Sequence, residues 1–384
     1  MKTLKRILAA TTLLVTLGFA SEANAQVPLE NFFKNPEKAG YQISPDGKYF
    51  SYMAPYENRL NLFVQEVGSD KATRITSETV RDLAGSMWAN GHRILYIKDT
   101  AGDENFQLYG VNVDGTDSKA YTAFPKVRTT IIDPLENIDS LVIIGLNKRN
   151  PQVFDPYRLN LNNGELTQLA ENPGNIQGWM TDHNGKLRVA LAIVDGVNTQ
   201  ILYRETEEQP FRPVLTTNFR ETVSFATFTP DNKMVYALTN IGRDKTALVL
   251  MDPATCEEKE VLYTNDKYDI SGLGYSELKK KLISVSCTGH KGTIRHYFDK
   301  NEEAIRTKLE QKLEGYDINT TSEDKSENIR IIYAGGDRTY GTYYTYNVKE
   351  DKLTKIADLA PWIKEEDMVP MHPIAYTSRD GLTI

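Results

Sequence analysis

Only two cysteines stand in the 384 residues, Cys256 and Cys287, 31 positions apart. That scarcity excludes a small disulfide-stapled fold and any CxxC redox or zinc motif, and the spacing by itself argues for no bridge. Both are read as buried free thiols. The five histidines, His92, His183, His290, His296 and His372, never fall into H-x-H, H-E-x-x-H or another metal-ligand spacing. They are read as turn and surface residues, and neither a metal nor a cofactor is expected. No G-x-S-x-G nucleophile turn, no G-x-G-x-x-G and no P-loop occurs. The Gly-rich run "AGGDRTYG" (334–341) reads as a hairpin, and the acid pairs Glu207-Glu208 and Glu365-Glu366 as solvated loop positions. No catalytic residue is assigned anywhere in the chain.

Long apolar runs are missing too, with one exception. Ile7 to Ala20 is uncharged and largely apolar, preceded by Lys2, Lys5 and Arg6 and followed by Ala23-Asn24-Ala25. This is the pattern of a cleaved secretory leader over 1–25. Its run of about 14 residues falls short of the roughly 20 needed to span a bilayer. The mature chain is therefore expected to be exported, periplasmic or secreted, with no membrane span. A surplus of positive charge is absent as well. Lys2, Lys5, Arg6 and Glu22 leave with the leader, so 42 Lys and Arg face 51 Asp and Glu, a net charge of −9. Nucleic acid, whose phosphates need a basic face, is excluded as a partner.

What is present is a repeat. Strand-forming residues followed by a polar turn recur as "LNLFVQEVGSD", "FQLYGVNVDGT", "DPYRLNLNNGE", "QILYRETEEQP", "ALVLMDPATCE", "RHYFDKNEE" and "YYTYNVKEDK". One position taken through the set gives Phe63, Tyr109, Tyr157, Tyr203, Val249, Tyr297 and Tyr344, at intervals of 46, 48, 46, 46, 48 and 47. A second marker runs in step upstream: "ISPDGKYFSYM", "MWANGHRILYI", "IDPLENIDSLVII", "MTDHNGKLRVALAI" and "FTPDNKMVYAL". Each is a strand end, a Pro/Asn/Asp/Gly turn and a β-branched or aromatic strand. The sixth and seventh copies of this turn are degenerate. Each period thus holds four short antiparallel strands, and seven periods predict an all-β, seven-bladed β-propeller over 26–370.

One helix interrupts the strands. In "NEEAIRTKLEQKLEG" (301–315), Ile305, Leu309 and Leu313 form a narrow apolar stripe; Asp299 or Asn301 can cap the start and Gly315 the end. It is expected at the boundary of blades six and seven, packed on the propeller's flank.

Four segments carry a family resemblance: "PLENFFKNPEKAGYQISPDGKYFSYMAP", "LTNIGRDKTALVLMDPATCEEKEVL", "NVKEDKLTKIADLAPWI" and "MHPIAYTSRDGLTI". In this order they resemble the propeller portion of the S9 (prolyl oligopeptidase) serine peptidases, in the acylaminoacyl-peptidase and dipeptidyl-peptidase-like branch. Cys256 stands where a turn Gly is usual. The resemblance runs from about Pro28 to Ile384. It implies an α/β-hydrolase domain as partner, bearing the Ser-His-Asp triad, with short peptides as substrates that the propeller would admit by size. It also implies an apolar patch on the face that the hydrolase covers. Residues 371–384, with the Asp380-Gly381 turn, are then expected to be the crossover and first hairpin of that hydrolase domain, which this chain lacks. The alternative is a standalone TolB-like envelope propeller serving as a binding or scaffold module.

Overall fold

A computed structural model describes residues 27–290 and 292–384; the leader expected over 1–25 lies outside the described residues. The strands form seven antiparallel sheets in chain order, blade one over 39–74, two over 85–120, three over 129–168, four over 176–217, five over 223–263, six over 270–297 and seven over 317–358. Phe63, Tyr109, Tyr157, Tyr203, Val249, Tyr297 and Tyr344 all fall on the third strand of their blade. The periodic marker therefore picks out one structural position seven times. No helix among the described residues is long and apolar enough to cross a membrane.

The second strand of each blade explains the apolar runs. Leu141–Asn150 reads LVIIGL at its start and is buried over six consecutive residues. A strand exposed on one face would alternate, whereas this one is covered on both faces by neighbouring blades. The core accordingly lies between blades. Leu95 of blade two packs with Ile144 of blade three, and Leu62 of blade one with Ile94 of blade two. The fourth strands of blades one to three are short and solvent-facing, down to the two residues Lys119–Ala120.

Blade six departs from the expected four strands. Its sheet has three, Ile270–Ser276, Lys281–Gly289 and Gly292–Tyr297, and the chain then enters the helix α1 (Lys300–Lys312). The helix follows where a fourth strand would form, because the apolar stripe finds a better partner than a sheet edge. Leu309 and Leu313 are buried, with Ile305 beside them, against Ile318, Ile332, Ala334 and Tyr346 of blade seven. Its start is fixed by Asp299, whose carboxylate accepts from the backbone N–H of Asn301 (2.8 Å) and Glu302 (3.2 Å). The Lys281 ammonium lies 2.7 Å from the same carboxylate and is the main cause that holds the Asp299 carboxyl down at about 2. Asp299→Ala is expected to cost about 1–2 kcal/mol in urea unfolding at neutral pH. The group's folded pKa is depressed, so this contribution is present above the ordinary value of 3.8 and is lost as pH falls toward about 2. Wild type and variant should therefore converge in melting temperature in strong acid.

The ring closes without a shared strand, since all four strands of blade seven come from 317–358 and all four of blade one from 39–74. Side-chain packing replaces it: Tyr41, Ile43, Phe50 and Tyr52 of blade one bury against Ile331 of blade seven. Two hydrogen bonds assist, from Ile43 N–H to Ser322 Oγ (3.1 Å) and from Lys325 N–H to the Pro45 carbonyl (2.9 Å). On the same blade Gly341 has a φ of +99°, and a Cβ there would collide with the Tyr333 ring, so only glycine fits.

Candidate functional site: the central channel and its two mouths

The innermost strands surround a central channel and all run in one direction, so its two ends differ in composition. One end carries the links between blades and the turns joining second to third strands. The chain also enters and leaves there. The Asn31 carbonyl accepts from Trp362 Nε1 (2.9 Å), the Phe32 carbonyl from the Tyr340 hydroxyl (2.9 Å), and Asp337 Oδ2 from Met371 N–H (2.6 Å). The Lys34 ammonium sits 4.2 Å from the Trp362 ring centroid. These contacts tie the first and last described segments to blade seven, and define what we call the terminal face.

Large apolar side chains are exposed on this face. Phe33 is 78 % exposed, and Leu29, Phe219, Val369, Met371 and Ile374 are similarly bare. The far face has few, chiefly Val67 and Leu278. Residues 376–384 fold into a small hairpin on the Asp380-Gly381 turn: Tyr376 and Ile384 exchange backbone hydrogen bonds of 3.0 and 2.8 Å, and Gly381 takes a φ of +84°. Its apolar side chains, Tyr376, Leu382 and Ile384, are exposed.

The far mouth is polar, built from the turns joining first to second strands. Blade three supplies the longest of these turns, residues 134–140. Asn137 Nδ2 donates to Glu277 Oε2 of blade six at 3.0 Å, and Lys325 Nζ of blade seven donates to Asp139 Oδ1 at 2.7 Å. On the blade four turn, His183 Nδ1 lies 3.4 Å from Glu277 Oε1, Nε2 bonds the Phe228 carbonyl at 2.9 Å, and the ring stacks on Tyr275. The hydrogen bond to Glu277 raises the His183 pKa, and the same bond lowers that of Glu277. A cavity of about 830 Å³ lies on the side of blades one, two, six and seven, lined by Trp88, Glu136, Tyr275 and Glu323 among others. A second, of about 240 Å³, lies toward blades four and five, lined by Asp133, Glu136, His183 and Thr227. Glu136 and Glu323 are reached by solvent but enclosed by these walls, and that burial raises the pKa of both carboxyls.

The residues weighed in the sequence fall as follows. His92 occupies a blade turn, and the run 334–341 is a hairpin as expected. His183 is in a turn but is half-buried and paired, not a free surface residue. Glu207 is no solvated loop carboxylate: it receives Arg158 Nη2 at 2.7 Å, Leu187 N–H at 3.0 Å and Lys186 Nζ at 3.4 Å. Its partners lie up to 49 positions away, beyond any local pattern. Both cysteines are free, Cys287 buried but Cys256 only half-buried. The far-mouth cluster of Asn137, Asp139, His183, Glu277 and Lys325 was missed, and an unusually long turn in blade three was its only sequence signal.

No family model matches the chain. It is 29 % identical over 364 residues to dipeptidyl aminopeptidase BIII of Pseudoxanthomonas mexicana, covering 92 % of this chain and 51 % of that protein. It is 26 % identical over 396 residues to dipeptidyl peptidase family member 6 of Caenorhabditis elegans, covering 97 % and 52 %. Among solved structures, prolyl oligopeptidase B from Galerina marginata superposes with a TM-score of 0.61 at 12 % identity, over 92 % of this chain and 56 % of that one, which is a likeness of fold. The chain spans about half the length of the curated relatives it matches.

Proposed function

We propose that this chain, which matches S9 (prolyl oligopeptidase) family peptidases over about half their length and corresponds to their β-propeller portion, is the substrate-gating part of an exported serine peptidase acting on short peptides. The observation that carries the reading is the terminal face. Exposed Leu29 and Phe33 beside blade seven, and Phe219 between blades four and five, lie on the face where the chain enters and leaves, and large apolar side chains bare on one face suit it to be covered. The occupant proposed is an α/β-hydrolase domain bearing the serine, following on from residues 371–384. A propeller seated over that domain excludes folded proteins and bulk water from the chemistry. The leader read over 1–25 supports export.

The test uses residues 26–384 as purified. Alone they should hydrolyse neither dipeptidyl nor acylaminoacyl chromogenic substrates. They should bind the separately expressed half of the Pseudoxanthomonas relative that this chain does not cover, and Phe33→Asp with Phe219→Asp should weaken that binding at least about tenfold, as loss of apolar anchors does. Hydrolysis by the chain alone, blocked by a serine-directed reagent, overturns the reading. Absence of binding favours a standalone scaffold propeller instead.

A further inference from the structure

In a ring of seven, blades three and six are not neighbours, and neither are three and seven. A direct hydrogen bond between them must therefore cross the channel. The blade three turn makes both crossings, Asn137 to Glu277 and Asp139 to Lys325, joining residues 140 and 186 positions apart. The equivalent turns of the other six blades hold two to six residues between their strands; this one holds seven, enough to leave the rim.

The turn is also stiff. Ile138 N–H donates to the Leu135 carbonyl (2.7 Å), Leu141 N–H to the Ile138 carbonyl (3.0 Å), and Leu135 N–H to Asp133 Oδ1 (2.8 Å). Leu135 is buried, and its side chain, with that of Ile138, lies against Gly185 of the blade four turn. Asp133 accepts from the Thr181 hydroxyl of blade four. On its other flank, Asn90 of blade two donates to the Asp139 carbonyl (3.3 Å). The segment is held at both roots and met at its tip by contacts that water still reaches, Lys325 being 45 % and Asp139 61 % exposed, and it divides the mouth into the two cavities of about 830 and 240 Å³.

We infer that the blade three turn is a strap across the far mouth of the channel, dividing it into two smaller openings and so limiting the size of peptide that can pass there. The barrier does not depend on the peptidase reading; only the identity of the cargo does.

The test reads the barrier on this chain directly. In a Cys256→Ser background, with Cys287 buried, a reporter Thr320→Cys is placed in the lumen on blade seven's innermost strand, where Thr320 lines the larger cavity. A second reporter, Ser224→Cys, sits near the terminal end of blade five's innermost strand. The probe is a polyethylene-glycol maleimide. Asp139→Lys sets like charges against each other at Lys325 and should speed labelling at position 320 about fivefold, the shift that about 1 kcal/mol of lost fastening gives. Position 224 should be unaffected. Adding Lys325→Asp restores the pair with its signs exchanged and should return the rate toward the starting value. An unchanged rate at 320 in Asp139→Lys, with the circular dichroism spectrum intact, overturns the inference, and so does a failure of the exchanged pair to slow it. A chain that does not bind the hydrolase half would leave these rates as they are, so the two readings fail separately.

Discussion

Arg330→Ala is expected to destabilise the protein by about 3–5 kcal/mol, the cost of removing one partner from a buried ion pair. Arg330 lies on the second strand of blade seven with its side chain only 7 % exposed, and Glu302, on the first turn of the helix α1, is 10 % exposed. The pair is bidentate, at 2.7 and 3.0 Å. Lys279 of blade six also reaches Glu302 at 2.7 Å and Glu327 at 2.9 Å. One buried carboxylate thus gathers blade six, the helix and blade seven where the sixth sheet lacks its fourth strand. Exposed pairs such as Lys48–Asp46 have no comparable effect, because water screens them and ordering the two side chains offsets the attraction. Arg330→Lys keeps the charge but not the fork, and should fall between wild type and Arg330→Ala. Urea unfolding measures all three. A loss under about 1 kcal/mol in Arg330→Ala would mean that Lys279 alone compensates Glu302, and that the guanidinium does not staple helix to blade.

Ile331→Ala should cost about 2–5 kcal/mol, through lost burial and the cavity it leaves. What separates it from an equivalent change elsewhere is where the damage appears. Ile331 is fully buried in the cluster that seals blade seven to blade one, and no strand is shared across that seam. Ile144→Ala removes the same atoms from the equally buried seam of blades two and three, which the continuous chain also joins. Both variants should lose similar global stability. Hydrogen exchange should then rise selectively in blades one and seven for Ile331→Ala, because no direct chain link joins those two blades, whereas blades two and three are tethered by the chain between them. Equal exchange patterns in the two variants would show that the closing seam is no weaker than the others.

The repeat was legible because it is local. A four-stranded blade needs turn residues at fixed offsets and a doubly covered second strand, and both leave marks within about 47 residues. Residues such as Tyr109, Tyr157 and Tyr203 recur because each takes the same place on a third strand. The helix was legible for the same reason, through its cap and its i, i+4 stripe. Its role was not, since nothing near residue 300 records that the stripe would meet Ile332 and Tyr346 of the next blade and displace a strand.

The amino-acid sequence alone determined the propeller, its seven blades, the helix and the resemblance to a family. The tertiary structure alone decided how the ring closes, why blade six stops at three strands, and what the blade three turn does. Glu277 carries no local sign that Asn137 and His183 will converge on it from two other blades, nor Asp139 that Lys325 will reach it. Strands and turns follow from interactions a few residues apart, whereas the channel and its strap come from bringing together residues well over a hundred positions apart, which only ring closure does.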